Sequence, residues 1–299
     1  MARNLNAWIP VQKGDNVLTV IQQTSAVEVV ARTEPMTTDV KDVPRAGGVD
    51  VSITPKGSAY TESGGSDDVV TLRARKFTGL LRIADEDIQD SPANIIASKQ
   101  ADWANSYAVA FDNAALGTVG AEDQTAGRPF TSVLQALLAG NAGNVTASAG
   151  DVSYAELQAP FGAVEGSAYA GNIVVIAHPS FKGVLRGITD PGANTLVFQP
   201  SGGAAQLADT IFGYPVFWSR GAVASTAMSA APTGDPLLVV AARDMLIRGV
   251  RSGPEFAAVN GFTGAAALTD EALIKARARR GFALGHLSAA AVLRKTAGA

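Results

Sequence analysis

The strongest constraint on this chain is a two-stranded ribbon for which the sequence supplies no obvious floor. Val49, Val51 and Ile53 alternate with polar residues, and so do Val70 and Leu72, with Arg73 and Arg75 beside them. Alternation with a period of two marks a half-buried strand. Between the two runs, residues 54–68 are rich in Pro, Gly, Ser and Asp, the residues that make turns. The pattern predicts a long hairpin over 45–76. A hairpin standing alone is marginal in water, so this one lies either on its own sheet or on another copy of the chain.

The segments on either side pose the same question. Residues 1–44 carry Trp8, Ile9, Val11, Val27, Val29 and Val30, broken by Pro10, Gly14, Pro35 and Pro44, with no sustained period. They read as an arm, packed on its own domain or on a neighbour. After the ribbon, 77–83 is strand-like and 85–90 is a short acidic turn. Ser91 as N-cap and Pro92 at the first helical position then open a helix. Ile96, Trp103, Tyr107, Phe111 and Ala114 form one apolar stripe on it, with Lys99, Asp102, Asn105 and Asn113 off the stripe. Gly117 ends it, giving a helix over 92–116 that is about 37 Å long.

A second module follows a loose stretch, with a boundary or hinge near 140–150. Ser153 caps a helix over 154–164. Residues 173–176 form a buried strand, Ser180 caps a short helix over 181–186, 212–218 turns into a strand, and 237–240 is another buried strand. Helices alternating with buried strands predict a mixed α/β layer. Short strands at 248–250 and 256–259 come next. In the alternating run 273–287, Ile274, Ala276 and Ala278 face one way and Lys275, Arg277 and Arg279 the other.

Composition narrows the chemistry. Charged residues are only 17% of the 299, against roughly 25% in ordinary soluble domains. The net charge is −3, a near-neutral balance that does not announce a nucleic-acid or membrane binder. Neighbouring subunits covering part of the surface would account for the missing charge. No apolar run approaches the roughly 18 residues of a membrane span, and 1–15 has no signal-peptide core. The absence of cysteine excludes disulfides, thiolate zinc sites and cysteine nucleophiles. His178, after a strand, is the one candidate for catalysis, in a soluble α/β enzyme, but no nucleophile elbow accompanies it. His286 lies far from it in sequence and no third metal ligand is signalled. The acidic clusters at 67–68 and 85–87 lack a calcium-loop pattern. The basic stripe Lys275, Arg277, Arg279 and Arg280 has no interleaved aromatics for single strands to stack on, and reads as a face paired with nearby acids. Catalytic, cofactor and metal residues are expected to be absent.

The order of parts resembles the major capsid proteins of tailed bacteriophages, the Hong Kong 97 type. The carriers are Val43-Pro44 before the hairpin; Val70-Thr71-Leu72-Arg73-Ala74-Arg75-Lys76-Phe77; Leu81-Arg82-Ile83-Ala84-Asp85-Glu86-Asp87-Ile88-Gln89-Asp90-Ser91; and Phe111-Asp112-Asn113-Ala114-Ala115-Leu116-Gly117 at the helix exit. In the second module they are Ile176-Ala177-His178-Pro179, Phe212-Gly213-Tyr214-Pro215-Val216 and the run from Leu237 to Asp244. The resemblance implies an α+β fold of the Hong Kong 97-like capsid type. Its parts would be an N-terminal arm (1–44), an extended β-hairpin loop (45–73), a peripheral domain with the long spine helix (74–150), an α/β axial domain (151–244) and a β segment returning to the peripheral domain (245–299). It implies a structural, non-enzymatic protein of the virion capsid, assembled in the host cytoplasm. The shell would be built of hexamers and pentamers and hold double-stranded DNA without sequence recognition. A separate scaffolding protein, a portal and a decoration protein are the implied partners, with no membrane. An encapsulin-like compartment shell is the alternative on the same fold. The expected subunit-contact residues are Trp8, Val49, Val51, Ile53, Lys56, Val70, Leu72, Arg277 and Arg279. Lys56 is the only lysine in 45–73, and no partner Asn or catalytic Glu for an isopeptide link can be matched to it.

Overall fold

A computed structural model of the chain describes residues 24–45, 47, 51–60, 68–90, 94–192, 196–200, 209–259 and 271–296. The elements run α1 (Ala26–Val30), β1 (Arg32–Pro35), β2 (Val40–Arg45), β3 (Asp68–Arg73), β4 (Arg75–Ala84), α2 (Asp85–Gln89), α3 (Ile95–Leu116), α4 (Val133–Gly140), β5 (Val145–Ala149) and α5 (Tyr154–Glu165). They continue with β6 (Ile173–Ala177), α6 (Phe181–Leu185), β7 (Phe198–Gln199), β8 (Thr210–Ile211), β9 (Tyr214–Trp218), β10 (Leu237–Ala242), β11 (Leu246–Val259), β12 (Glu271–Leu284) and β13 (Ala290–Thr296). The chain divides into two compact units. Among the described residues, the first comprises 78–90, 94–105, 254–259 and 271–278, and the second comprises the rest.

The second unit is built on a seven-stranded mixed sheet, ordered β5-β13-β10-β6-β9-β8-β7. Every residue of β6 and β10 is buried, as their unbroken apolar runs require. Leu157, Phe161 and Val164 of α5 and Phe181 and Leu185 of α6 pack into the core of this sheet. The capping box expected of Ser153 is present: its hydroxyl accepts from Glu156 N–H, and the Glu156 carboxylate accepts from Ser153 N–H. Phe212 (φ 50°) and Gly213 (φ 84°) join β8 to β9, positive φ at both central positions being what a type I′ hairpin turn demands.

Several local expectations are corrected. The region of the supposed hinge holds β5, paired in parallel with β13. The two short strands at 248–250 and 256–259 are parts of one 14-residue strand, β11. Ser180 does not cap α6 with its side chain; its hydroxyl meets His178 Nδ1 at 2.8 Å instead. Ser91 and Pro92 lie outside the described residues, and it is Asn94 whose side chain accepts from Ala97 N–H at the start of α3. At the end of α3, Gly117 is required by a close approach rather than by a left-handed turn. A Cβ there would overlap the Val223 carbonyl oxygen.

The exit of α3 shows why the helix matters to the fold. Asp112 and Asn113 are both wholly buried. Asp112 Oδ1 accepts from the Ser25 hydroxyl at 2.5 Å and Val27 N–H at 3.1 Å; Oδ2 accepts from Ala26 N–H at 2.9 Å and the Ser219 hydroxyl at 2.6 Å. One carboxylate thus holds the first turn of α1 and the loop after β9. Burial pushes its pKa up to about 6, against the lowering effect of those four hydrogen bonds. Asn113 Nδ2 donates to the carbonyls of Gly221 (3.1 Å) and Val223 (2.8 Å), and its Oδ1 accepts from the Ser225 hydroxyl at 2.9 Å. Asn113 lies off the apolar stripe, yet it is as buried as Phe111 and Ala114 on it. Next to this exit, Phe77 packs edge-on to Tyr107 (5.6 Å) and Phe111 (5.8 Å), which bears out the apolar stripe along the second half of α3.

Candidate subunit interface

The hairpin divides into a half that its own chain covers and a half that it does not. Strand β2 pairs antiparallel with β3, from Val40 opposite Arg73 to Arg45 opposite Asp68. The first strand of the ribbon is therefore 40–45; Val51 and Ile53 lie beyond it, outside any strand. At this base the floor is the chain itself. Leu72 is fully buried with Met36 and Ile247, and Val43 and Val70 pack against them. Leu72 and Val70, expected at a subunit contact, are used inside their own chain. An Arg45–Asp68 ion pair closes the end of the ribbon, and Arg45 also donates to the Gly285 carbonyl at 2.7 Å.

Beyond the base the situation reverses. Val51 is 97% exposed, Ile53 99% and Tyr60 94%. Residues 51–55 are extended, and Pro55-Lys56-Gly57-Ser58 forms a turn in which Ser58 N–H donates to the Pro55 carbonyl at 3.1 Å. Gly57 has φ 89° in the third position, as a type II turn requires. Lys56 stands exposed on this turn and makes no ion pair with a described residue. Burying a Val or Ile side chain is worth roughly 1.5–3 kcal/mol, so leaving two of them in water forfeits several kcal/mol that a covering surface would recover. Single exposed apolar residues are ordinary; here three at nearly full exposure lie within ten residues.

The basic face of β12 behaves as expected. Arg277 pairs with Glu255 at 2.6 Å, and Arg279 lies 3.8 Å from Asp39, which also pairs with Arg251. Ile274, Ala276 and Ala278 are buried opposite them. Arg280 departs from the stripe. It is buried, donating from Nε to Glu28 Oε1 at 2.8 Å, where the Tyr107 hydroxyl also donates at 3.0 Å. Burial and the Glu28 charge together raise the Tyr107 pKa, which keeps that hydroxyl protonated. Trp8 and Val49 lie outside the described residues. The exposed tip residue Tyr60 escaped the sequence reading, since a lone Tyr in a turn-rich run breaks no period.

Burial and then Arg220 hold the His178 pKa below its usual value, and its ring is occupied by Ser180. Among the described residues no three His, Cys, Asp or Glu side chains are grouped to hold a metal, and no helix is long and apolar enough to cross a membrane.

Comparison with known proteins agrees with this geometry. The model of a family described as the phage capsid family matches residues 7–295. No curated protein sequence matches. Among solved structures, one from Mycobacterium phage Bobi superposes with a TM-score of 0.74 at 15% identity, covering 99% of this chain and 97% of that one. One from Microbacterium phage Oxtober96 gives 0.70 at 17% identity, covering 98% and 97%. The capsid of an empty GTA particle computed with C5 symmetry gives 0.66 at 15% identity, again covering 98% and 97%.

Proposed function

The chain belongs to the phage capsid family, and from that premise we propose that it builds a phage head of hexamers and pentamers around double-stranded DNA. It is a structural major capsid protein with the α+β capsid fold, assembled from many copies, and not an enzyme. The encapsulin-like alternative and the enzyme using His178 are not favoured by any of these matches.

The observation that carries the proposed assembly is the exposed patch Val51, Ile53 and Tyr60 on a ribbon whose base is anchored in its own core. In this reading 1–44 is the arm, 45–73 the extended loop, 74–150 the peripheral domain, 151–244 the axial domain and 245–299 the returning β segment, with β5 and β13 lending their strands to the sheet of the axial domain. Trp8, Val49, Val51, Ile53, Lys56, Arg277 and Arg279 face neighbouring copies, with the loop supplying the apolar part of the contact. The C5 symmetry of the matched GTA capsid supports five-fold vertices here. DNA is held without sequence recognition, consistent with a net charge of −3. Scaffolding, portal and decoration proteins are the further partners, and assembly takes place in the host cytoplasm.

Negative-stain microscopy of the expressed protein tests the reading. Closed shells are expected, and isolated monomers at high concentration would refute it. Deleting 54–67 should abolish stable shells while leaving the seven-stranded sheet folded, because all of its strands lie between 145 and 296. Purified virions should contain DNA; protein cargo in its place would restore the encapsulin-like alternative.

A further inference from the structure

We propose that residues 51–54 of one copy add as a strand to the open edge of β4 in a second copy, with Lys56 set against the acidic helix α2 of that copy. The inference rests on the shell reading above and names the surface on which the loop docks.

Two elements that have no partner among the described residues fit each other. Strand β4 ends the order β1-β11-β12-β4, so among the described residues it is bonded to β12 on one side only. Within its stretch 78–84, Leu80 is 63% exposed and Leu81 39%, and successive residues of a strand point to opposite faces. An edge carrying apolar side chains on both faces is a template for another strand. The second element, Val51-Ser52-Ile53-Thr54, is extended and rich in β-branched residues, and its main chain bonds to no described residue. Adding such a segment to that edge satisfies both backbones and, with Val51 opposite Leu80, lays Val51 and Ile53 along the face that carries Leu80.

Charge chooses the direction. Helix α2 follows β4 directly and carries Asp85, Glu86 and Asp87, with Asp90 behind; none of the four is in an ion pair with a described residue. Pairing in parallel with Val51 opposite Leu80 brings Lys56, five residues on, opposite Asp85. Pro55 then falls opposite Ala84, where β4 ends and a missing N–H costs no ladder bond. The antiparallel register carries Lys56 the other way, towards Gly79 and away from the acids.

The absence of native cysteine makes the contact testable by crosslinking. Shells of the double variant Val51→Cys, Leu80→Cys, oxidised and run on non-reducing denaturing gels, should give a ladder of linked subunits that collapses to monomer on reduction. Each single variant should give monomer. In parallel, Lys56→Glu should lower shell yield by about tenfold through like-charge contact. Asp85→Lys should do the same, and the two together should restore the yield. This charge swap reads the same contact without touching an apolar residue, so it stands if the cysteine pair disturbs folding. Wild-type shells with no ladder and no rescue overturn the docking alone. A wild type that forms no shells overturns the shell reading and the docking with it.

Discussion

Asn113→Asp changes one atom in a fully buried side chain and should destabilise the subunit by about 4–5 kcal/mol at pH 7. The amide nitrogen that it replaces faces two carbonyl oxygens, Val223 at 2.8 Å and Gly221 at 3.1 Å. A carboxylate oxygen there would meet acceptors only, so the new side chain must stay protonated. Holding an aspartic acid neutral at pH 7, about three units above its ordinary pKa, costs roughly 4 kcal/mol. The protonated acid has one proton to give. Val223 takes it, and Gly221 keeps its other partner, Val223 N–H at 2.8 Å. The second lost bond adds about 1 kcal/mol. The new carboxyl's folded pKa lies above its unfolded value, so its penalty disappears as pH falls through that window. At pH 4 the variant should lie within about 1–2 kcal/mol of wild type. Urea unfolding of the unassembled subunit at pH 7 and pH 4, with wild type measured beside it at each pH, gives both differences. A variant within 1 kcal/mol of wild type at pH 7, or a gap that does not close on acidification, refutes the assigned orientation of the Asn113 amide.

Three further outcomes are expected. Asp112, raised from 3.8 to about 6, binds a proton in the folded chain before it does so in the unfolded one. Its contribution to stability therefore grows as pH falls from 7 to 4, by up to about 3 kcal/mol, and Asp112→Asn, compared with wild type in urea across that range, should lose this slope. Gly117→Ala drives a methyl group into the Val223 carbonyl and should cost about 2–3 kcal/mol, read as a lowered Tm of the subunit. Mature shells boiled in denaturant should run as monomers, since Lys56 has no matched isopeptide partner; a Lys56-dependent ladder would show a covalent link.

How far the sequence carried the fold depended on whether the signal was local. The runs of β6 and β10, the capping box at Ser153, the alternation of β12 and the stripe through Tyr107, Phe111 and Ala114 are each read within one element. They survived because periodicity records which face of an element is covered. The family resemblance drew on the same runs in their order. What failed was the identity of the cover. Val49, Val51 and Ile53 have a better strand period than 40–45, yet β3 pairs with β2, whose partners stand 23–33 residues away in sequence. The weakly patterned 145–149 became a strand because β13, nearly 150 residues later, offers it an edge.

The candidate interface follows the same division. By itself, the sequence determined that the chain holds a ribbon, a long helix and an α/β layer with no disulfide to brace them, and that the ribbon needs a floor, either its own chain's or another copy's. Only the tertiary structure decided which ones. Leu72 and Val70 were claimed by Met36 and Ile247 of their own chain, Asn113 and Asp112 by loops folding over the helix exit, and Val51, Ile53 and Tyr60 were left to water. The physical reason is that an apolar side chain carries its need for burial in its own chemistry, whereas its partner is fixed by contacts between segments distant in the chain, on which no local pattern bears.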